Sequence, residues 1–200
     1  MSLRVRARLI PPPRVSLPAN WPHIKAVKTR PGSVVLIGFM GTGKSSVARR
    51  LGELLGWPVL DTDAIIEERL GRSITDIFEQ FGEQRFRDEE TAALEKLDPG
   101  RASIIVTGGG AVLRARNVRR LRELGRVVCL TAEPSILQDR LKHRTNRPLL
   151  AKGNLATRIK SLLEERASSY REAADVTLDT SFLTHDDAAD QIRKLLGLTD

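Results

Sequence analysis

The sequence predicts a three-layer α/β fold in which helices cover both faces of a parallel β-sheet. Three observations predict it. Short apolar runs alternate with helical patterns, a glycine-rich turn joins the first run to the first helical pattern, and acidic or glycine residues follow the next two runs. Repeated strand-then-helix segments favour parallel strands, because a crossover helix returns the chain to the same edge of the sheet.

Five apolar runs have the length of buried strands. They cover residues 33–37, 58–60, 102–106, 127–130 and 176–178. The segments between and after them repeat apolar residues with the spacing of a helix that buries one face. These helical patterns cover residues 45–55, 64–70, 73–97, 117–124, 134–141, 155–170 and 186–196. Right-handed crossovers are expected between the parallel strands.

Local signals predict where several helices begin, end or break. Gly56 and Gly71 follow two helical patterns and are plausible stops, because glycine readily adopts the left-handed conformation that ends a helix. Ser73 and Asp76 resemble a capping box at the start of the next helix. Gly82 is expected to break that helix.

The first 32 residues do not follow the strand–helix pattern. They contain six prolines, seven arginine or lysine residues and no acid, so they hold seven of the eight net positive charges. The proline run at 11–13 disfavours a helix. We interpret residues 1–32 as an irregular basic extension, with organelle targeting as the alternative. Residues 33–200 form the predicted domain and are almost neutral, which does not favour a nucleic-acid-binding face.

Composition narrows the remaining function classes. A single cysteine, Cys129, allows no internal disulfide, fits a reducing compartment and is expected to be buried. No apolar run approaches the roughly 20 residues needed to span a bilayer. We therefore expect a cytoplasmic protein, most simply a monomer, that binds neither nucleic acid nor membrane.

The glycine-rich turn matches the phosphate-binding pattern G-x-x-x-x-G-K-[ST] over residues 38–45. It lies between a predicted strand and a predicted helix, where such a loop wraps its backbone N–H groups around phosphates. Lys44 is expected to reach the β- and γ-phosphates, and the Ser45 hydroxyl to bind Mg²⁺. The predicted nucleotide contacts in this loop are Gly41, Thr42, Gly43, Lys44, Ser45 and Ser46.

A phosphate loop indicates nucleotide binding but does not identify the group that receives the phosphate. Asp61 and Asp63 follow the second strand, and strand alternation would place both carboxylates on one side, facing the ligand crevice. One could hold Mg²⁺ through water, and the other could accept a proton from a substrate hydroxyl. The alternative for Asp63 is a structural role as helix N-cap.

Three consecutive glycines, Gly108, Gly109 and Gly110, follow the third strand. Glycines without side chains permit close approach of a ligand to the backbone. Taken alone, this run is better explained as an ordinary strand-to-helix turn.

Together these motifs resemble those of the shikimate kinases over residues 33–196. The matching segments share the order and spacing of that family. They are Gly-Phe-Met-Gly-Thr-Gly-Lys-Ser-Ser at 38–46, Asp-Thr-Asp at 61–63, Ile77-Phe78, Gly82-Glu83, Phe86-Arg87 with Glu90, Gly-Gly-Gly-Ala-Val at 108–112, Arg-Pro-Leu-Leu at 147–150, and Glu165-Arg166 with Tyr170. The phosphate loop is shared by many families, whereas the combination with the later segments is selective.

The resemblance implies a P-loop NTPase-type, nucleoside-monophosphate-kinase-like fold with strand order 2-3-1-4-5. It also implies transfer of the γ-phosphate of ATP to the 3-hydroxyl of shikimate, a step of aromatic amino-acid biosynthesis, with Mg²⁺ as cofactor. Asp63 would hold and polarise that hydroxyl, and Ser45 with Asp61 would hold the metal. Arg87 and Arg166 would bind the substrate carboxylate, while Gly108, Gly109 and Gly110 would contact the ring hydroxyls.

Residue chemistry supports the two substrate arginines, because a carboxylate suits the planar, bidentate guanidinium group better than a lysine. Glu90 lies three residues after Arg87 and could orient it on the same helix face. The alternative for Arg87 is a surface ion pair with Glu90. The alternative for Arg166 is a solvated helix face, given Glu164 and Glu165 beside it.

A polar stretch over residues 142–154 has no helical period and is predicted to be a mobile lid. The resemblance implies that Arg147, in this stretch, moves onto the phosphates, and that Arg140 stacks on adenine. An arginine so placed stabilises transition-state charge. The alternative is a basic surface loop. The loop at 181–184 lacks the polar group that many family members use near adenine, and His185 belongs to no motif.

Two other function classes remain in view. A kinase of similar fold, acting on gluconate or a nucleotide, would share the phosphate loop but not the Phe-Arg-x-x-Glu and triple-glycine pair. A ligand-sensing transcriptional regulator would need an N-terminal DNA-binding domain. Residues 1–32, with six prolines, are too short and too irregular to form a helix-turn-helix.

Overall fold

The chain is described by a computed structural model, which covers residues 32–142, Leu149 and residues 154–198. Its centre is a parallel sheet of five strands in the order β2-β3-β1-β4-β5. The strands are β1 (Ser33–Gly38), β2 (Val59–Asp61), β3 (Ile104–Val106), β4 (Gly125–Thr131) and β5 (Val176–Asp179). Both the fold class and the strand order expected from the sequence are confirmed.

The helices lie where the apolar periodicity predicts them, with ends that differ by a few residues. They are α1 (Lys44–Leu55), α2 (Thr62–Leu70), α3 (Ile74–Glu95), α4 (Ala115–Leu124), α5 (Pro134–Leu141), α6 (Leu155–Ala173) and α7 (His185–Leu195), with a 3-10 turn at Ala111–Leu113. Helix α2 begins two residues earlier than predicted, directly after β2, and this changes the position of one candidate site residue.

The central strand β1 is fully covered because helices pack on both of its faces. It pairs with β3 and β4, so that Val35 lies opposite Ile105 on one side and Val127 on the other. Val34 and Leu36 contribute to a core with α1 and α7, whereas Val35 contributes to a second core with α4 and α6. Each such side chain removed from water contributes about 2 kcal/mol to folding. This packing holds the parallel strands together, so that the loops that follow them meet at one edge of the sheet.

Two smaller apolar clusters lie beyond the carboxyl ends of the strands. Phe39, from the turn after β1, packs with residues of α5 and α6. Ile66 of α2 packs with Ile77 and Phe86 of α3. The first cluster supports the phosphate loop, and the second fixes α3 beside the end of β2.

The predicted helix signals are confirmed. Gly56 and Gly71 end α1 and α2 with φ values of 65° and 61°. Ser73 and Asp76 form a capping box at the start of α3, and Gly82 interrupts that helix with φ 77° and ψ 171°. Only glycine tolerates this conformation readily. The break separates the capped first part of α3 from a second part that carries the substrate-site candidates.

No helix among the described residues is long and apolar enough to cross a membrane.

Candidate active site

The phosphate loop lies between β1 and α1, and its glycines enforce its shape. Gly38, Gly41 and Gly43 have φ values of 134°, 85° and 91°. A methyl group on Gly38 would also lie 2.2 Å from the carbonyl oxygen of Leu130 in the neighbouring strand. Helix α1 begins without a side-chain cap, so its first N–H groups are available to an anion.

Lys44 lies over this loop. Its Nζ donates hydrogen bonds to the carbonyl oxygens of Gly38 and Phe39 at 2.8 and 3.0 Å. The Thr42 hydroxyl donates to the same Phe39 oxygen at 2.8 Å. The loop is thus held closed by its own side chains, and the ammonium group stands where the phosphates of a nucleotide would be bound.

Ser45 and Asp61 are the candidate metal ligands, and the structure brings them together. The Ser45 hydroxyl donates to Asp61 Oδ2 at 3.4 Å. A hydroxyl and a carboxylate beside bound phosphates are the hard oxygen ligands that Mg²⁺ prefers. The donor set therefore fits the magnesium site that the sequence predicts.

Strand alternation does not explain the position of Asp63. Asp61 ends β2 and is itself the N-cap of α2, since its Oδ1 accepts a hydrogen bond from the Asp63 N–H at 3.0 Å. Asp63 lies in the first turn of α2, so the interpretation of Asp63 as the N-cap is wrong. Its carboxyl group lies against Gly108, at the edge of the pocket that contains the two arginines.

Arg87 on α3 is buried rather than exposed. Its Nη1 donates to Glu90 Oε2 at 2.5 Å, and its Nη2 lies 2.7 Å from Glu83 Oε1. The side chain of Glu90 is 1% exposed. A surface ion pair with Glu90 is therefore the wrong description, because Arg87 and Glu90 both lie inside the protein. The guanidinium lies against Gly110.

Arg166 on α6 is also buried, and it lies at the same run of glycines as Arg87. The residue is 2% exposed, so the interpretation of a solvated helix face is wrong. Its Nη1 donates to the Gly109 carbonyl at 3.4 Å, and its Nε has no hydrogen-bond partner among the described residues. No described carboxylate lies within ion-pair distance of it. A buried cation in this state is costly unless an anion joins it.

Two of the three glycines after β3 leave space for the buried charged groups that lie against them. Methyl groups on Gly108 and Gly110 would lie 2.5 Å from Glu90 Oε1 and 2.4 Å from the guanidinium carbon of Arg87. The Gly109 carbonyl accepts hydrogen bonds from Arg166 and from the Tyr170 hydroxyl. An ordinary turn would not need this close packing, so the run is part of the site.

Burial dominates the electrostatics of this pocket. Burial raises the pKa of Glu90 to about 7; Arg87 opposes the shift, Asp63 adds to it, and Arg166 opposes it. Burial likewise raises the pKa of Tyr170 to about 12, with Arg166 opposing the shift, so its hydroxyl remains a donor at neutral pH. One carboxyl group of the pocket, that of Glu90, therefore has a pKa near neutrality.

On the other side of the phosphate loop, Arg140 joins two segments. It donates to the carbonyl oxygens of Gly41 at 3.2 Å and Thr180 at 2.8 Å. The Thr180 hydroxyl in turn donates to the Thr42 carbonyl at 2.9 Å. Arg140 therefore lies beside the nucleotide cradle, next to the loop that follows β5.

Sequence reasoning missed His185 in this region. The imidazole packs on Gly43, where an added methyl group would lie 3.5 Å from its Cδ2. Phe182, nearby in sequence, is 80% exposed. The signal that could have identified His185 is topological: it begins the helix after β5, and the carboxyl ends of parallel strands meet at one edge of the sheet.

Ser46 lies in the first turn of α1, beside Ser45. Most of the predicted lid, including Arg147 and His143, lies outside the described residues, as do residues 1–31. The structure therefore brings together Lys44, Ser45, Asp61 and Asp63 with the glycines and the two buried arginines. Chemically, it places an anion cradle beside a pocket with two buried arginines, which a ligand with a carboxylate can bind.

Comparisons with known proteins agree with this arrangement. The family model described as "Shikimate kinase" matches residues 40–196. A shikimate kinase from Thermodesulfovibrio yellowstonii is 45% identical over 162 residues, which are 81% of this chain and 93% of that protein. One from Geobacter sulfurreducens is 44% identical over 80% of this chain and 88% of that protein.

Solved structures give the same result. A shikimate kinase from Acinetobacter baumannii in complex with shikimate is 38% identical, with a TM-score of 0.80 over 84% of this chain and 94% of that chain. The shikimate kinase from Aquifex aeolicus is 32% identical, with a TM-score of 0.70 over 83% of this chain and 95% of that chain.

Proposed function

Because the chain belongs to the shikimate kinase family, we propose that this site transfers the γ-phosphate of ATP to the 3-hydroxyl of shikimate. The protein is an ATP-dependent kinase that phosphorylates shikimate in aromatic amino-acid biosynthesis. Shikimate carries one carboxylate and three ring hydroxyls. The products of the proposed step are shikimate 3-phosphate and ADP.

The observation that carries the assignment of the acceptor site is the buried guanidinium of Arg166. It lacks a carboxylate within ion-pair distance among the described residues, and it faces the same pocket as Arg87. A substrate carboxylate placed between the two arginines would supply the missing anion through charge-assisted hydrogen bonds. A neutral polyol would leave Arg166 buried without a counter-ion, which disfavours sugars that carry no carboxylate and other uncharged acceptors.

The nucleotide would be bound by residues 41–46 and by Arg140. Backbone N–H groups of the loop and the Lys44 ammonium would hold the β- and γ-phosphates. Ser45 and Asp61 would hold Mg²⁺, which supplies further neutralisation of phosphate charge when it is bound. Arg147 would add a second cation from the lid, an assignment that rests on its sequence position.

The acceptor hydroxyl would be held by Asp63. Its carboxyl group lies against Gly108, next to Glu90, the buried partner of Arg87. From there it can orient the hydroxyl for in-line attack and accept its proton. Gly108, Gly109 and Gly110 would allow the ring to approach the backbone. Most of the acceleration would come from positioning and electrostatics rather than from covalent chemistry.

An acceptor panel tests this proposal. ADP release is measured with shikimate, gluconate, a nucleoside monophosphate or no acceptor. We expect turnover with shikimate that exceeds each other condition by at least about 10³-fold. Gluconate and the nucleotide also carry an acid, but neither is expected to place it at both arginines while a hydroxyl lies at Asp63, and a site built for one set of polar contacts discriminates strongly against a ligand that leaves them unpaired. Equal ADP release with and without shikimate would contradict the proposal.

We also propose that the enzyme acts as a cytoplasmic monomer that binds neither nucleic acid nor membrane. The near-neutral domain and the small acceptor pocket support this. Light scattering of the purified chain tests the monomer: a mass close to 22.2 kDa is expected, and twice that mass would overturn it.

A further inference from the structure

Two carboxyl groups of different elements meet at one glycine. A methyl group on Gly108 would lie 2.5 Å from Glu90 Oε1 and 2.9 Å from Asp63 Oδ1. Both oxygens therefore lie next to the same point, and the two carboxyl groups are neighbours. Two neighbouring carboxyl groups in a site of low polarity do not both ionise readily, because like charges repel strongly there.

Glu90 is the buried member of this pair, and only one of its two carboxylate oxygens accepts a hydrogen bond from the described residues. Its Oε2 accepts the hydrogen bond from Arg87, whereas its Oε1 has no hydrogen-bond partner among the described residues. Its side chain is 1% exposed, compared with 45% for Glu83, the other partner of Arg87. A buried carboxylate oxygen without a donor is destabilised by desolvation, and protonation relieves this cost.

The charges that face Glu90 come from three helices. Arg87 and Glu83 lie on α3, Asp63 lies on α2, and Arg166 lies on α6 beside the neutral Tyr170. Two guanidinium groups thus share the pocket with three carboxyl groups. The carboxylate of shikimate would be a fourth, so binding increases the excess of negative charge around Glu90, whose own side chain is buried.

We propose that Glu90 is a proton-coupled positioning residue, which takes up one proton from solvent when the carboxylate of shikimate binds to Arg87 and Arg166. The proton bonds to an oxygen of Glu90, whose carboxylate becomes a carboxylic acid, while the shikimate carboxylate stays ionised. Arg87 is then released from part of its internal ion pair and can bind the substrate. This inference rests on the proposed function.

The sign of the pH dependence follows from the pKa of Glu90 in the protein without shikimate. With the pKa of Glu90 near 7 before binding, the group is already protonated below that pH, and binding there needs no further proton. The added carboxylate raises the pKa in the complex. At a pH between the pKa of Glu90 in the free protein and its pKa in the complex, binding takes up a proton. In that range the affinity for shikimate falls by up to about tenfold for each unit by which the pH rises.

Calorimetry of shikimate binding to the full chain, without nucleotide, tests the proposal. Titrations at about pH 8 are run in buffers that differ in their enthalpy of ionisation, and the slope of observed enthalpy against ionisation enthalpy counts the protons taken up. We expect a positive slope of at least about half a proton, which becomes small at about pH 6.

Two variants and one ligand serve as controls. Glu90→Gln keeps an acceptor for Arg87 but cannot titrate, so its slope is expected to be zero and its affinity independent of pH. Glu83→Gln removes the exposed partner of Arg87 and is expected to keep the slope. The methyl ester of shikimate carries no charge, so it is expected to bind more weakly, because it leaves Arg166 without an anion, and to bind without proton uptake. Circular dichroism checks that both variants are folded.

The outcomes separate the two claims. Shikimate that binds wild-type protein with zero slope at both pH values overturns the proton coupling and leaves the proposed function intact. A slope that persists in Glu90→Gln overturns the assignment to Glu90. If that variant does not fold, equal slopes for shikimate and its ester in wild-type protein overturn the coupling. Absence of shikimate binding to wild-type protein overturns both proposals.

Discussion

The two halves of the site are built in opposite ways. The phosphate loop is one contiguous segment, residues 38–45, whose backbone is bent by glycines and which carries one ammonium group. The acceptor pocket collects side chains from α2, α3 and α6 around the turn after β3, and it buries their charges. The first half depends on local conformation, and the second depends on tertiary packing.

This difference separates the expected effects of substitution. Residues of the phosphate loop that point at the nucleotide can be changed with little loss of stability, because the loop is shaped by its backbone. A buried charge of the acceptor pocket either stabilises a buried partner or costs free energy without one, so that a change there alters both substrate binding and the free energy of unfolding.

The largest expected effect is on the phosphate side. Lys44→Met removes the ammonium group that would neutralise the transferring phosphoryl group, and kcat is expected to fall by roughly 10³-fold or more. The melting temperature should change little, because the shape of the loop is set by its glycine backbone. A coupled assay of ADP release and a thermal scan measure the two quantities. Retention of a tenth of the wild-type kcat would break the comparison.

The next effect is on acceptor binding. Arg87→Met and Arg166→Met each remove one guanidinium from the pocket, and the KM for shikimate is expected to rise by about 10²-fold, since a charge-assisted bond in a buried site contributes about 3 kcal/mol. The KM for ATP should stay within about threefold in both variants. Steady-state kinetics with each substrate varied in turn measure this. An unchanged KM for shikimate in either variant would contradict the assignment.

The same two variants sharpen the comparison through stability. Arg87→Met leaves Glu90 buried without its cation, and the free energy of unfolding at about pH 8 is expected to fall by about 3 kcal/mol. Arg166→Met removes a buried charge that has no described carboxylate partner, so stability should stay equal or increase. Denaturant unfolding of the ligand-free proteins measures both. Equal losses would mean that Arg166 is paired inside the protein.

The smallest expected effect concerns the residue that sequence reasoning missed. The His185 ring supports Gly43 from outside the loop, so His185→Ala is expected to raise the KM for ATP by about threefold to tenfold and to leave the KM for shikimate unchanged. Leu195→Ala, at the exposed far end of the same helix, serves as a control with no effect on either constant. A change in the shikimate constant would show that the two halves are not independent.

Features that depend on residues close together in the sequence could be predicted from it, whereas features that depend on tertiary packing could not. Alternating strand and helix patterns predicted the sheet, and the contiguous loop motif predicted the phosphate cradle. Burial of Arg87 and Arg166 could not be deduced from their neighbours, because Glu164 and Glu165 suggested a solvated face and only packing of α6 on the sheet shows otherwise.

Two other differences have physical causes. Asp63 was expected at alternating strand spacing, but Asp61 caps α2 and the helix begins before Asp63. His185 carries no motif, and its contact with Gly43 arises from the meeting of β1 and β5 loops at one edge of the sheet. Both result from how elements join, which residue patterns within one element do not encode.

The central claim is that the carboxylate of the acceptor occupies the buried space between Arg87 and Arg166. A crystal structure of the chain with bound shikimate tests it most directly. The account predicts carboxylate oxygens within hydrogen-bond distance of both guanidinium groups, with a ring hydroxyl at Asp63. A shikimate molecule bound with its carboxylate in the phosphate loop, or away from both arginines, would contradict it.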